Sequence, residues 1–136
     1  MTNNSTEIEP QEEPIIRHFK WIAICKESDL VVNSGICALA PTQTPKQQQL
    51  AIFTQQISRQ NSQTYVVSNW DPIGKANVIS RGIIGSIDEQ IVVSSPLYKQ
   101  HFSLVNGHCI EDSLHRLEAY ESRIENGVLL VKLPTE

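Results

Sequence analysis

The sequence predicts an all-β domain of small antiparallel sheets, with about eight to ten short strands. Short apolar segments alternate with turn-forming clusters along most of the chain, and no long stretch repeats apolar residues at helical spacing. The length agrees: 136 residues make one domain that buries about two-thirds of the surface its unfolded chain exposes.

The elements follow in chain order. Residues 1–18 carry Glu7, Glu9, Glu12 and Glu13 with Pro10 and Pro14, an acidic composition that predicts a disordered tail before a domain over residues 19–136. Strands are expected over Lys20 to Ile24, Gly35 to Leu39, Leu50 to Thr54, Thr64 to Ser68, Ile83 to Ile87, Ile91 to Val93 and Phe102 to Leu104. Ser28 is a weak N-cap for one helical turn over Glu27 to Leu30. The Pro, Thr and Gln of Pro41 to Gln49, and the polar run Gln55 to Gln63, predict flexible surface loops. Asp88-Glu89-Gln90 reads as a hairpin turn. Asn126-Gly127 tolerates the positive φ angles of a type I′ turn, so Tyr120 to Ile124 and Val128 to Lys132 form a closing hairpin.

Composition excludes several roles. With 11 basic and 15 acidic residues the net charge is −4, and no basic stripe is present to bind a nucleic-acid backbone. The odd count of 3 cysteines, Cys25, Cys37 and Cys109, with no CxxC pair fits a reducing compartment and three small buried hydrophobes. The N-terminus lacks the basic start and apolar run of a signal peptide, and no apolar stretch reaches the roughly 20 residues that span a bilayer. A cytoplasmic protein that touches neither nucleic acid nor membrane is the expectation.

Two Pro-containing loops carry the chemistry of interest. One reads Asn69-Trp70-Asp71-Pro72-Ile73 and continues to Ser80-Arg81-Gly82; the other reads Ser95-Pro96-Leu97-Tyr98-Lys99-Gln100-His101-Phe102 and ends at Asn106-Gly107. Their spacing resembles the Rieske frame, in which Cys-x-His and Cys-x-x-His loops hold a [2Fe-2S] cluster. On that frame Asp71 and Ser95 stand at the cysteine positions, Ile73 and Tyr98 at the histidine positions. Ile73 has no donor atom, the hydroxyls of Ser95 and Tyr98 ionise only at high pH, and one hard carboxylate does not hold a soft-ligand cluster. These are expected to be vestigial cluster positions, without catalytic, cofactor or metal ligands.

Further residues carry a closer resemblance: Trp21-x-x-Ile24-Cys25, Gly35-x-Cys37-Ala38-Leu39, Ala51-Ile52-Phe53, Gly107-x-Cys109-x-Glu111-Asp112 and Tyr120-x-x-Arg123, together with the Asn-x-Asp-Pro and Ser-Pro-Leu-x-Lys-Gln loops. In order and spacing, from Trp21 to about Leu130, the chain is similar to the small subunit of the NADH-dependent, NAD(P)H-class assimilatory nitrite reductase, a Rieske-like domain without its cluster. The resemblance implies a heteromeric oxidoreductase complex of nitrate and nitrite assimilation in the cytoplasm. In that complex a large catalytic subunit binds FAD, an iron-sulfur cluster and siroheme and reduces nitrite to ammonium. This chain would carry no cofactor and catalyse nothing alone, consistent with its lack of a dinucleotide fingerprint, a Walker loop or a four-Cys set. The alternative reading is a stand-alone binding module whose vestigial site recognises a small molecule or another protein.

Without iron to staple them, the loops are expected to close around an apolar plug of Trp70, Ile73, Leu97 and Tyr98, stiffened by Pro72 and Pro96. The rigid tip is a candidate partner interface through Trp70, Arg81, Leu97 and Lys99, with Lys75 and Arg123 as further cations that could meet acidic groups. His101, His108, Cys109 and His115 are close in sequence but lack metal-ligand spacing, and His101 should point outward if Phe102 points inward. Glu111 and Asp112 are adjacent, so they face opposite ways on a strand and read as a solvated turn.

Overall fold

The computed structural model describes residues 18–41 and 48–134. Residues 1–17 of the expected acidic tail and 42–47 of the loop expected over Pro41 to Gln49 lie outside the described residues, and Gln49 is the first residue of a strand. Twelve strands follow in order: β1 Phe19–Lys26, β2 Ser34–Leu39, β3 Gln49–Gln56, β4 Ser62–Ser68, β5 Trp70–Asp71, β6 Ala76–Asn77, β7 Ile83–Ile87, β8 Gln90–Ser94, β9 His101–Ser103, β10 Ala119–Tyr120, β11 Ser122–Glu125 and β12 Val128–Pro134. Single 3-10 turns span Glu27–Asp29 and Ile79–Arg81. Among the described residues no helix is long and apolar enough to cross a membrane.

The strands form three packed sheets and a small hairpin, with strand orders β1-β12-β11, β10-β4-β3-β2, β7-β8-β9 and β5-β6. The β10-β4-β3-β2 sheet is the middle layer because β3 and β4 are apolar on both faces. Leu50, Ile52 and Val66 point one way, into a core with Leu129, Val131 and Leu133 of β12. Ala51, Phe53 and Val67 point the other way, into a core with Ile79, Val93, Phe102, Leu104, Cys109 and Leu117. Strand alternation sends successive residues to opposite faces, so the unbroken run Leu50 to Phe53 serves both cores.

Turn chemistry sets the hairpin registers. Asn126 and Gly127 have φ of 52° and 76° and join β11 to β12, as their sequence predicts. Asp88 and Glu89 make the same two-residue turn with φ of 49° and 68°, which fixes Ile87 opposite Gln90. The polar run Gln55 to Gln63 departs from expectation. Pairing continues through Gln55↔Gln63 and Gln56↔Ser62, so only residues 57–61 form the connection. Backbone ladders do not depend on side-chain polarity where the side chains are solvated. The 3-10 turn after β1 also forms, but its start is held by Asp29, whose Oδ2 accepts the Lys26 N–H at 3.1 Å, and not by Ser28. Of the three cysteines only Cys109 is buried; Cys25 is half-buried, and Cys37 is exposed because it lies on the edge strand β2.

Two glycines with similar φ differ in what surrounds them. A Cβ at Gly127 meets nothing within 4 Å, whereas one at Gly107 falls 2.0 Å from the Leu117 carbonyl oxygen. That crowding follows from the Leu117 N–H donating to Gly107 O at 2.8 Å. Gly127→Ala should cost only the left-handed backbone penalty of about 1–2 kcal/mol. Gly107→Ala should cost about 3 kcal/mol or more, since overpacking adds to the same penalty. Urea denaturation of both variants checks the ranking.

Candidate functional site

The two loops of the Rieske frame are built alike. In each, a polar residue is followed by proline, and the N–H of the fifth residue closes on the carbonyl of the first. Lys75 N donates to Asp71 O at 2.7 Å and Lys99 N to Ser95 O at 3.1 Å. Both lysines adopt left-handed backbone, with φ of 60° and 66°. Each polar residue also caps its own loop. Asp71 Oδ1 accepts the N–H groups of Ile73 at 2.8 Å and Gly74 at 2.9 Å, and Ser95 Oγ accepts that of Leu97 at 3.3 Å. Such Asx and Ser turns satisfy backbone donors that a tight loop would otherwise leave unpaired.

A hydrogen bond joins the two loops. Ser95 Oγ donates to Asp71 Oδ2 at 2.5 Å, with Asp71 0% and Ser95 1% exposed. Bonding to a carboxylate is charge-assisted and short, and its removal strands a buried acceptor. Above it, Leu97 lies across Gly74, where a Cβ would fall 2.4 Å from Leu97 Cδ1.

This clasp overturns the expected apolar plug. Trp70, Leu97 and Tyr98 are 46%, 44% and 64% exposed, while Ile73 turns aside to pack against the Phe53 and Phe102 core. The interior between the loops is polar because Asp71 and Ser95 satisfy one another there, and the bulky side chains are left on the outer surface.

Asn69 ties the tip to the middle sheet, a role the sequence motif alone does not disclose. Its N–H donates to Gln49 O at 3.0 Å and its Nδ2 to Gln49 Oε1 at 3.0 Å. Its Oδ1 accepts the Ser80 N–H at 2.6 Å, which fixes the turn that presents Arg81. The only sequence signal is a short polar residue two places before Asp71. Arg81, Lys75 and Lys99 are exposed, and none has an acidic partner among the described residues. Arg123 is separate from them: it stacks over Trp21 at 4.2 Å and pairs with Glu125 at 3.0 Å on the β1-β12-β11 sheet.

The histidines and the adjacent acids pair off. His101 Nδ1 meets Glu111 Oε2 at 2.6 Å and His115 Nδ1 meets Asp112 Oδ2 at 2.8 Å. Glu111 and Asp112 therefore hold different histidines and are more than a solvated turn. Among the described residues no group of three His, Cys, Asp or Glu is placed to hold a metal ion. Burial pushes the Glu111 carboxyl up, but the His101 N–H and imidazole and its own N–H outweigh that and hold it below its ordinary value. The Leu114 N–H, with His115, lowers Asp112. Burial raises the Cys109 thiol, which suits a packing role.

A family model of the Rieske-like [2Fe-2S] domain matches residues 20–132. The nitrite reductase (NADH) small subunit of Salmonella typhimurium is 36% identical over 113 residues, covering 83% of this chain and 97% of that protein. The chain belongs to the Rieske-like family of nitrite reductase small subunits. The NMR structure of the Escherichia coli protein NirD superposes on this Rieske-like chain with a TM-score of 0.70 and 36% identity, covering 85% of this chain and 97% of that one. A further relative is the nitrite reductase [NAD(P)H] large subunit of Klebsiella oxytoca, 32% identical over 121 residues, which are 89% of this chain but 12% of that protein.

The four residues that the loop spacing assigns to cluster positions do not fit a [2Fe-2S] group. The Asp71 carboxylate is occupied by the Ser95 hydroxyl and two backbone N–H groups, Ile73 has no donor atom, and neither thiolate nor imidazole stands at any of the four positions.

Two measurements test this site. Ser95→Ala leaves a buried carboxylate oxygen unpaired and should cost about 1–3 kcal/mol. Asp71→Ala should cost more, and a double-mutant cycle should give a coupling of about 1–3 kcal/mol; additive losses would mean the clasp contributes nothing. The second concerns pH. Because the folded value of Glu111 lies below its unfolded one, its contribution is present above the unfolded value and is lost as pH falls through the folded one. Denaturation should therefore find Glu111→Gln less stable than the parent at pH about 7, with the gap narrowing below pH about 4.

Proposed function

We propose that this domain is the accessory subunit of a cytoplasmic NADH-dependent nitrite reductase, acting by contact while electron transfer takes place elsewhere. Its partner is a large subunit that binds FAD, an iron-sulfur cluster and siroheme and reduces nitrite to ammonium. The observation that carries the reading is the Asp71–Ser95 clasp: a buried hydrogen bond occupies the cluster positions of a chain whose full-length relatives are nitrite reductase subunits. The Klebsiella large subunit supports the pairing, because a segment resembling this chain is part of that longer polypeptide. The match to 97% of a dedicated small subunit favours this over a stand-alone binding module.

The contact surface in this proposal is the tip. Exposed Trp70, Leu97 and Tyr98 form its apolar part, and Lys75, Lys99 and Arg81 add positive charge on a chain whose net charge is −4. Apolar side chains on a stiff scaffold bind with little ordering cost, and the cations select an acidic face. Of the vestigial positions, Asp71, Ile73 and Ser95 hold that surface in shape, and Tyr98 is part of it.

The test is NADH-dependent nitrite reduction by the large subunit purified with and without this chain. Activity should fall without it and return on adding it back, while the isolated chain shows no dithionite-sensitive visible absorbance. Trp70→Ala and Leu97→Ala should weaken association by about tenfold or more, with little loss of stability because both side chains are already half exposed. Lys99→Glu should slow association, most strongly at low salt. Unchanged activity without the chain, and no co-purification, would overturn the proposal.

A further inference from the structure

The sheet edges of this domain are protected unevenly. An open strand edge presents unpaired N–H and C=O groups and invites another strand, and proteins block it with charges, prolines, bulges, short strands or cover. Strand β1 carries Lys20 and Lys26 and a bulge between Ala23 and Cys25. Strand β11 has 4 residues, among them Arg123 and Glu125. Strand β2 runs against the Ile79–Arg81 turn so closely that a Cβ at Gly35 would fall 2.5 Å from Ser80 O. Strand β9 is covered by the following loop, through the Phe102↔Cys109 bridge and the Ile110 N–H bonded to His101 O at 2.8 Å. Strand β10 has only 2 residues.

Among the described residues, strand β7 has no charge, proline or bulge and no strand paired along its outer edge. Its sequence, Ile83-Ile84-Gly85-Ser86-Ile87, contains no charge and no proline, its pairing with β8 is regular, and Ile83 is 75% exposed. The two-residue turn makes Ile87 and Gln90 a hydrogen-bonded pair. The ladder to β8 therefore uses the backbone of Ile83, Gly85 and Ile87, and directs the N–H and C=O of Ile84 and Ser86 outward. No hydrogen bond among the described residues reaches those outward groups.

We propose that β7 pairs antiparallel with β7 of a second copy of this chain, about a two-fold axis at Gly85. In that register Ile84 of each copy lies opposite Ser86 of the other, so the four outward-facing backbone groups of each edge are satisfied by the same four on the other. Gly85 meets Gly85 on the axis, where a Cβ finds nothing within 4 Å and no side chain stands in the way. Ile83 lies opposite Ile87, in a non-hydrogen-bonded pair where facing side chains are closest, and so loses its exposure. Charge chooses the occupant. Arg81 precedes the strand and Asp88-Glu89 follow it, so antiparallel pairing brings the cation of each copy to the acids of the other. An edge basic at one end and acidic at the other is complementary to itself. The product is a continuous six-stranded sheet, β9-β8-β7-β7-β8-β9. One strand pairing falls at the small end of specific interfaces, under about 1,200 Å², so the dimer is weak and forms with rising concentration. The proposal shares Arg81 with the tip surface proposed for a large subunit, so its tests of dimerisation use the free chain alone.

Sedimentation equilibrium of the full chain from about 1 μM to 1 mM tests it. The mass should rise from the 15.3 kDa monomer toward twice that value. Ser86→Pro deletes an outward N–H that serves no internal bond and should hold the protein monomeric throughout. Arg81→Glu should weaken dimerisation by about tenfold or more, and Arg81→Glu with Glu89→Arg should recover most of it, since exchanging the two charges preserves self-complementarity. Arg81 and Glu89 are both exposed, so the charge exchange still tests the contact if the proline variant fails to fold. A monomer at every concentration would overturn the proposal. So would a dimer indifferent to Ser86→Pro or a charge exchange that does not rescue, because each places the contact elsewhere. Protection of the Ile84 and Ser86 amides by a large subunit, with no dimer of the free chain, would assign the edge to that partner and likewise overturn it.

Discussion

Burial of one strand pair on both faces organises this molecule. Strands β3 and β4 send Leu50, Ile52 and Val66 into one core and Ala51, Phe53 and Val67 into the other, so two outer sheets pack on one middle sheet. Each of these side chains is fully buried or nearly so, and full burial of a large aliphatic or aromatic side chain contributes about 1.5–3 kcal/mol. The tip hangs from this layer. Gln49 at the start of β3 takes two hydrogen bonds from Asn69, and Asn69 in turn holds Ser80, so the loop carrying Asp71 and the turn carrying Arg81 share one rigid support.

Within the tip, the Asp71–Ser95 pair joins two loops whose sequence spacing resembles a cluster-binding frame. A cluster crosslinks two loops through four bonds to soft donors; here a single charge-assisted hydrogen bond spans the gap, and each partner also caps its own loop. The near-identity of the two loops, down to a left-handed lysine in each, means that one local geometry was solved twice. The replacement is polar because it must satisfy backbone donors, which an apolar plug could not do.

The same arrangement decides which side chains stay outside. Asp71 and Ser95 take the interior, so Trp70, Leu97 and Tyr98 stay on the surface, and three cations nearby remain without acidic partners among the described residues. The domain presents exposed apolar side chains on a tip tied to the middle sheet and, among the described residues, an unpaired strand edge along β7.

Much of this was legible in the sequence. Short apolar segments, the Asn126-Gly127 turn and the apolar run from Leu50 to Phe53 determine an all-β chain with buried strands, since alternation and turn geometry are local properties. The spacing of the two loops and the residue types at 71, 73, 95 and 98 determine that soft-metal ligands are missing from a Rieske frame. Only the tertiary structure decided what replaces them. The sequence marks Trp70, Leu97 and Tyr98 as bulky but not as outward-facing, because exposure depends on which side chains the two closed loops bury between them. It shows Asp71 and Ser95 as two small polar residues 24 positions apart, and their bond exists only because β7 and β8 fold back and set one loop beside the other. Strand presence is written in neighbouring residues, whereas the clasp, the exposed surface and the open edge are contacts between distant ones, which the packing of whole sheets alone brings together.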